Sequence, residues 1–240
     1  MTVRIAMWSG PRNISSAMMR AFENRPDTSV SDEPLYAHYL RASGLHHPGR
    51  DAILASQPTE WKTVVRSLTG PIPGRASVWY QKHMTHHMLP MVGRAWLSRV
   101  RNCFLIRDPH EVLASYVKRR PEVTIEDLGF PQQAALFDHV CDHLGRVPPV
   151  LDARDVLENP RRALTALCDA IGVPFSEAML RWPAGPRDTD GVWANHWYDA
   201  VFGSTGFAPY RPRPRDYPPA LAHVAEAGEK IYARLWAHRL

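Results

Sequence analysis

Residues 3–22, VRIAMWSGPRNISSAMMRAF, contain an apolar run, a turn and the beginning of a helix. The apolar run from Val3 to Ser9 stops at Gly10-Pro11, as a buried strand does before a loop. Asn13 is a candidate cap for a helix that extends to about Asn24. Backbone N–H groups in such a loop, together with the positive end of the helix, attract a negative group. The stretch therefore predicts an anion-binding loop, and an ordinary strand–turn–helix corner is the alternative.

The polar residues of this loop differ from those of an ATP-binding loop. Ser15 and Ser16 supply hydroxyl donors, and Arg12 supplies a planar, charged fork. The chain lacks the pattern GxxxxGK[ST], whose lysine reaches the outer phosphates of ATP. No clear magnesium-binding aspartate follows a strand either. The loop is therefore expected to hold an anion other than ATP.

Length and composition indicate one globular domain spanning residues 1–240. Of the 240 residues, 45% are hydrophobic and 22% are charged, and the formal net charge is +5. A basic balance favours an anionic partner, although so small an excess also fits a surface charge with no binding role. The segment RPRPR, residues 211–215, lacks interleaved stacking aromatics, so no specific nucleic-acid partner is predicted.

The cysteines and the apolar segments indicate the cellular compartment of the protein. Cys103, Cys141 and Cys168 lie far apart and form no CxxC pair, so neither a disulfide framework nor a zinc site is expected. No apolar run is long enough for a membrane span. These features predict a cytoplasmic protein, and they leave a homo-oligomer open.

Strand-like and helix-like segments alternate along the chain. The strands are predicted at 3–9, 28–34, 76–83, 101–109 and 148–157, and helices at about 14–24, 61–68, 109–120, 131–144 and 159–172. This alternation predicts an α/β fold, a three-layer sandwich whose mainly parallel sheet is covered by helices on both faces. Residues 185–219 lack periodicity and are predicted to be a loop-rich closing segment, followed by a C-terminal helix at 220–240.

Four polar segments follow predicted strands. They are the Gly10 loop, Asp32-Glu33, Lys82-His83 and Arg107-Asp108. Because ligands of parallel sheets bind at the carboxyl ends of the strands, these segments are expected to converge on one site.

The loop PRNISS, residues 11–16, resembles the Pro-Lys-Ser-Gly-Thr-Thr loop of sulfotransferases that use PAPS (3′-phosphoadenosine 5′-phosphosulfate). It is also similar to the SGPRNIS-type loop of bacterial sulfotransferase-like proteins. The resemblance implies a P-loop fold and transfer of a sulfuryl group from PAPS to a hydroxyl or amine of a small-molecule acceptor, leaving PAP. The implied ligands of the 5′-phosphosulfate are Arg12, Asn13, Ile14, Ser15 and Ser16, of which Asn13 and Ile14 depart from the family pattern.

Residues 103–120, CFLIRDPHEVLASYVKRR, resemble a second signature of this family. The resemblance implies that Arg107 and Ser115 bind the 3′-phosphate. Arg107 leaves the strand as a charged fork, and Ser115 lies about two turns along the next helix. An Arg–Asp pair beside an unrelated polar residue is the alternative.

Two further segments match in the same order. Residues 151–174 resemble a structural segment of the family, and residues 186–197, PRDTDGVWANHW, resemble its closing glycine-rich loop. Arg187, Gly191 and Trp193 are the implied counterparts in that loop. The Arg-Lys-Gly of the family is Arg-Asp-Thr here, so Arg187 is the one expected anion ligand of the segment.

Sulfuryl transfer needs cations for the leaving oxygen and a base for the acceptor. Arg12 and Lys82 are the candidate cations. The resemblance implies two candidate bases, His83 and Glu33, and His86 or His87 could also point inward. A capping or salt-bridged turn is the alternative role for Glu33.

Other functions stay open at this point. His83, His86 and His87 have spacings that suit a metal site, but no acidic partner lies close in sequence and no metal is expected. A P-loop nucleotide kinase or hydrolase would need a loop lysine and a magnesium site. A non-catalytic nucleotide- or anion-binding protein is the other alternative.

Overall fold

The computed structural model describes residues 2–74 and 76–240. Its strands are β1, Val3–Ser9; β2, Thr28–Asp32; β3, Val78–Met84; β4, Arg101–Ile106; and β5, Val150–Asp152. Its α-helices are α1, Ser15–Glu23; α2, Tyr36–Ser43; α3, Arg50–Ser56; α4, Trp61–Leu68; α5, Pro109–Tyr116; α6, Phe130–Leu144; α7, Ala153–Glu158; α8, Pro160–Ile171; α9, Ala194–Trp197; α10, Asp199–Phe202; and α11, Ala222–Trp236. Short 3₁₀ helices span Thr85–His87, Ala95–Arg99, Glu177–Leu180 and Pro219–Leu221.

The five strands form one sheet in the order β2-β3-β1-β4-β5, and every neighbouring pair is parallel. The central strand β1 lies between β3 and β4. Ser9 pairs with Met84 on one side and with Leu105 on the other, so all three strands end at the same edge. The sheet and its flanking helices confirm the predicted α/β fold.

Two apolar layers cover the faces of the sheet. Along β1, Ile5 and Met7 belong to one buried cluster, whereas Ala6 and Trp8 belong to the other. This alternation follows from the two-residue period of a strand. Because both faces are buried, β1 reads as a continuous apolar run, which is typical of a parallel sheet.

Two helices lie where the sequence suggested only a polar, irregular stretch. Helices α2 and α3 bury Tyr36, Leu40 and Ile53 against the core. Their apolar residues are few, and glycines interrupt the stretch, so the sequence pattern alone does not predict these helices. Helix α5, in contrast, ends at Tyr116 instead of Arg120, in keeping with Pro121, since the residue before a proline disfavours helical geometry.

The C-terminal part returns to the sheet. The backbone N–H of Leu240 donates to the carbonyl of Val150 at 3.0 Å, and the hydroxyl of Tyr232 donates to Asp152 at 2.6 Å. Within residues 185–219, the helices α9 and α10 have four residues each. Across residues 2–74 and 76–240, none of the helices combines the length and the apolar character needed to cross a bilayer.

Candidate active site

The loop after β1 has an unusual backbone. Arg12 has φ 58° and Ile14 has φ 37°, both in the left-handed region that side chains other than glycine rarely adopt. A Cβ atom at Gly10 would lie 2.5 Å from the carbonyl oxygen of Leu128, so only glycine fits there. Non-glycine residues keep such strained geometry where the surrounding structure imposes it, often at functional sites.

Helix α1 begins without a side-chain cap. Ile14 occupies the cap position and makes no capping hydrogen bond. The predicted cap, Asn13, instead donates its amide to the carbonyl of Leu105 at 2.6 Å and so ties the loop to β4. The first N–H groups of a helix have no partners within the helix. Those of Ser15 and Ser16 have no acceptor among residues 2–74 and 76–240 and can bind an anion.

A cavity of about 540 Å³ opens at the carboxyl edge of the sheet. It brings together most of the residues that the sequence singled out, namely Arg12, Asn13, Ile14, Ser15, Ser16, Glu33, Lys82, Arg107 and Ser115. The convergence expected from the ends of β1, β2, β3 and β4 is therefore present, and the cavity has the size of a small-molecule site.

Arg12, Arg107 and Ser115 are in direct contact. Nη1 of Arg107 donates to the backbone carbonyl of Arg12 at 2.8 Å, and Nε of Arg12 donates to the hydroxyl of Ser115 at 3.0 Å. Arg119 and Arg213 also line the cavity. Burial lowers the pKa of Arg12, and repulsion from Arg213, Arg119 and Arg107 lowers it further. The cavity therefore concentrates positive charge at the beginning of α1.

Glu111 and Tyr210 hold Arg107 in place. Oε2 of Glu111 accepts from Nε and Nη2 of Arg107 at 3.0 and 2.8 Å, and Oε1 accepts from the hydroxyl of Tyr210 at 2.7 Å. Burial pushes the pKa of Glu111 upward, but the hydrogen bonds from Tyr210 and Arg107 outweigh it and lower the pKa. By contrast, neither Arg12 nor Arg213 forms an ion pair with a carboxylate among the described residues.

Lys82 lies at the centre of a buried network. Its ammonium donates to Asp32 Oδ1 at 2.8 Å, to Glu33 Oε1 at 2.5 Å and to the hydroxyl of Tyr198 at 2.6 Å. These three bonds use all three N–H groups of the lysine. Lys82 could thus contact a ligand only by giving up one of them.

The network sets the charges of its members. Burial alone would lower the pKa of Lys82, but Asp32 and Glu33 outweigh it and raise the pKa well above its ordinary value. For Glu33, burial is the larger influence and raises the pKa, while Lys82 pulls it down. Glu33 also has φ 39°. A carboxylate with a raised pKa at the edge of a cavity has the properties of a general base.

The structure places His83 away from the cavity and argues against its expected role as base. Successive side chains of β3 point to opposite faces, so His83 lies on the face opposite to Lys82. Its ring stacks on Trp8 with 4.4 Å between centroids, and it is 1% exposed. Burial lowers its pKa to about 3.

His86 and His87, on the 3₁₀ helix after β3, do line the cavity. Nδ1 of each is buried and has no hydrogen-bond partner among the described residues. Nδ1 of His87 lies 4.0 Å from Oε2 of Glu33. Within residues 2–74 and 76–240, no group of three or more His, Cys, Asp or Glu residues is arranged to hold a metal ion.

Arg187, Gly191 and Trp193 do not line the cavity, contrary to the expectation for the closing loop. The guanidinium of Arg187 donates to the carbonyl of Pro183 at 2.9 Å. The N–H of Gly191 donates to Asp32 at 3.1 Å, and Trp193 is 1% exposed. A Cβ atom at Gly191 would lie 2.1 Å from the ring of Trp193. In this structure these residues therefore anchor the segment and lie outside the cavity.

The cationic part of the closing segment lies further along the chain. The cavity is bordered by residues 204 and 206–209 and by Arg211, Pro212 and Arg213. The arginine-rich sequence at 211–215 is a visible signal of this charge, although no ligand is predicted for it from the sequence alone. Tyr198 and Glu111 were also missed, because nothing local in the sequence indicates their buried partners.

The profile of the family described as "Sulfotransferase domain" matches residues 3–223. The chain belongs to this sulfotransferase domain family. Two proteins of Arabidopsis thaliana are similar over 98% of the chain. They are named branched-chain-amino-acid aminotransferase-like protein 1, at 36% identity, and protein 2, at 33%. The chain spans only 42% and 41% of their lengths.

Solved sulfotransferase structures share the fold. The sulfotransferase from Alicyclobacillus acidocaldarius has a TM-score of 0.51 at 14% identity and covers 100% of this chain and 97% of that chain. The sulfotransferase domain of the Synechococcus PCC 7002 olefin synthase has a TM-score of 0.51 at 17% identity, with 94% of each chain covered. At such identities the similarity concerns the fold alone.

Proposed function

We propose that this sulfotransferase-family chain transfers the sulfuryl group of PAPS to a hydroxyl or amine of a small molecule. One observation carries the proposal: Arg12, Arg107, Arg119 and Arg213 line one cavity beside the uncapped beginning of α1. Glu111 and Asp199 pair with Arg107 and Arg119, whereas Arg12 and Arg213 have no carboxylate partner among the described residues. Keeping these cations close together costs free energy, and a polyanionic ligand offsets that cost.

The residues fit the phosphates of such a donor. The free N–H groups and hydroxyls of Ser15 and Ser16 suit the 5′-phosphosulfate, as does Arg12. Oδ1 of Asn13 is buried without a partner among the described residues, and the backbone of Ile14 completes the loop. Arg107 and Ser115 suit the 3′-phosphate, and Arg213 takes the closing role expected of Arg187.

PAPS supplies the sulfuryl group and leaves as PAP, so a bond from the acceptor to sulfur forms while the bond from sulfur to the phosphate oxygen breaks. Glu33 takes the proton of the acceptor, since burial raises its pKa and it lies at the cavity. Arg12 stabilises the negative charge that grows on the leaving oxygen. Lys82 holds Glu33 in position through the 2.5 Å bond.

Calorimetry with PAP and AMP tests the proposal. PAP should bind at least ~10²-fold more tightly than AMP, since two or three charge-assisted hydrogen bonds at roughly 1.5–3 kcal/mol each depend on the 3′-phosphate. Arg107→Ala should remove most of this preference and change AMP binding little. Equal affinities for PAP and AMP in the wild type would refute the proposal.

Two controls separate the alternatives. Selective binding of ATP with magnesium would favour a nucleotide kinase or hydrolase. Tight PAP binding without turnover of any acceptor would favour a non-catalytic nucleotide-binding protein.

A further inference from the structure

A second cationic end of the cavity lies at Arg120, apart from the arginines of the loop. Its side chain lines the cavity and is half-buried. Nη1 donates to Nε2 of His47 at 2.8 Å, and Arg120 forms no ion pair with a carboxylate among the described residues. Asp127 is the carboxylate near His47, and it accepts hydrogen bonds from the N–H and hydroxyl of Thr124, at 2.8 and 3.0 Å, with no ion pair to Arg120. The guanidinium of Arg120 therefore faces the cavity without a counter-ion.

His47 cannot neutralise this charge, but it prepares a second donor. Burial and then Arg120 lower the pKa of His47 to about 4, so its ring is neutral. A guanidinium only donates, so Nε2 accepts and the ring proton lies on Nδ1. Nδ1 lies 2.8 Å from the hydroxyl oxygen of Tyr36 and donates to it. The hydroxyl hydrogen of Tyr36 is left free to donate to a ligand in the cavity.

Aromatic rings connect this end to Glu33. The ring of Tyr36 stacks on His87 with 4.5 Å between centroids and 15° between planes. His87 lies 4.0 Å from Glu33, and its Nδ1 is buried without a partner in the described part of the chain. Tyr116 and His86 also line this part of the cavity. One continuous surface thus has a base at one end and, at the other, a guanidinium without a carboxylate partner and a hydroxyl that can donate.

We propose that the acceptor is a small hydroxy- or amino-carboxylate, whose carboxylate binds Arg120 and Tyr36 while its hydroxyl or amine faces Glu33. The proposal rests on the proposed function. A carboxylate matches one guanidinium fork and one hydroxyl, whereas a phosphate dianion would call for more positive charge. A neutral acceptor would cover Arg120 and leave its charge without a counter-ion, which costs free energy.

Binding of matched ligand pairs tests this assignment without turnover. The probes are para-hydroxyphenylacetate and ω-hydroxyhexanoate, each compared with its amide, titrated into the protein with and without PAP. At least one carboxylate should bind roughly 10-fold or more tightly than its amide, as expected for one charge-assisted contact. Arg120→Gln should remove the preference, and Tyr36→Phe should reduce it while keeping the stacked ring.

Arg41→Gln is the matched control, because Arg41 is exposed on the helix that carries Tyr36. It should leave the preference unchanged, and melting temperatures should show that all variants fold. No preference for either carboxylate in the wild type, or an unchanged preference in Arg120→Gln, would overturn the assignment. A carboxylate preference in a protein that does not bind PAP would refute the donor and leave this anion site supported.

Discussion

Lys82→Met is the most direct test of the buried network. The substitution keeps the length of the side chain but leaves the carboxylates of Asp32 and Glu33 without their shared cation. Asp32 keeps the hydroxyl of Tyr198 and the N–H of Gly191, whereas Glu33 loses the donor at 2.5 Å. Removing one partner of a buried ion pair costs about 3–5 kcal/mol. At 2–4 °C per kcal/mol, the melting temperature should fall by roughly 6–20 °C near neutral pH.

The pH dependence of this loss of stability distinguishes the effect of the missing charge from the effect of altered packing. Lys82 lowers the pKa of Glu33, so its removal raises that pKa further above the value in the unfolded chain. A raised folded-state pKa means that the destabilisation is absent below the unfolded pKa and grows as pH rises towards the folded pKa. The loss should therefore shrink between about pH 7.5 and pH 5, by up to about 1.4 kcal/mol per pH unit and carboxylate.

Urea unfolding at both pH values measures this loss. Lys230→Met is the matched control, since Lys230 is exposed on α11 and should change stability by less than about 0.5 kcal/mol. A loss below about 1 kcal/mol for Lys82→Met, or one that is as large at pH 5 as at pH 7.5, would refute the reasoning.

The remaining predictions concern turnover. Glu33→Gln should lower turnover by about 10²–10⁴ while PAP still binds, and the acid limb of the wild-type rate profile should lie above the ordinary carboxyl pKa of 4.5. Near-normal rates would remove Glu33 from the mechanism. Arg12→Ala should weaken PAP binding and slow transfer as well, because the leaving charge grows in the transition state. Unchanged kinetics would show that the loop arginine is structural.

The sheet and the edge that carries the site were predictable from local patterns. Strands β1 and β4 are continuous apolar runs that end at glycine or before proline, and parallel strands bring their carboxyl ends together. Arg12 and Ser115 are far apart in sequence, yet their contact at 3.0 Å follows from this topology. The resemblance then gave the residues their expected roles.

What could not be predicted depends on packing between distant segments. The inward or outward direction of His83 depends on the register of β3, and a shift of one residue would exchange it with Lys82. The partners of Glu111 and Asp32 come from Tyr210 and Tyr198, in a segment without periodicity. The motif near Arg187 predicts a ligand contact, yet this part of the segment lies outside the cavity, because a sequence motif does not specify how a loop folds back.

The segment between Tyr198 and Tyr210 lines the cavity, so the contacts that hold it affect how a ligand could enter and leave. Both ends of the segment between them are fastened, one to the ion network of β2 and β3 and the other to Glu111 on α5. The two fastenings are unequal, because Tyr198 is 4% exposed and bonded to charged groups, whereas Tyr210 is half-buried and makes one such bond. The middle of the segment is held as well, because the N–H groups of Gly185 and Trp182 donate to the carbonyls of Phe202 and Thr205 at 2.8 and 3.1 Å. Residues 208–213 lie beyond these bonds, so we expect ligand exchange to depend on their movement and to become faster in Tyr210→Phe, which removes the bond to Glu111.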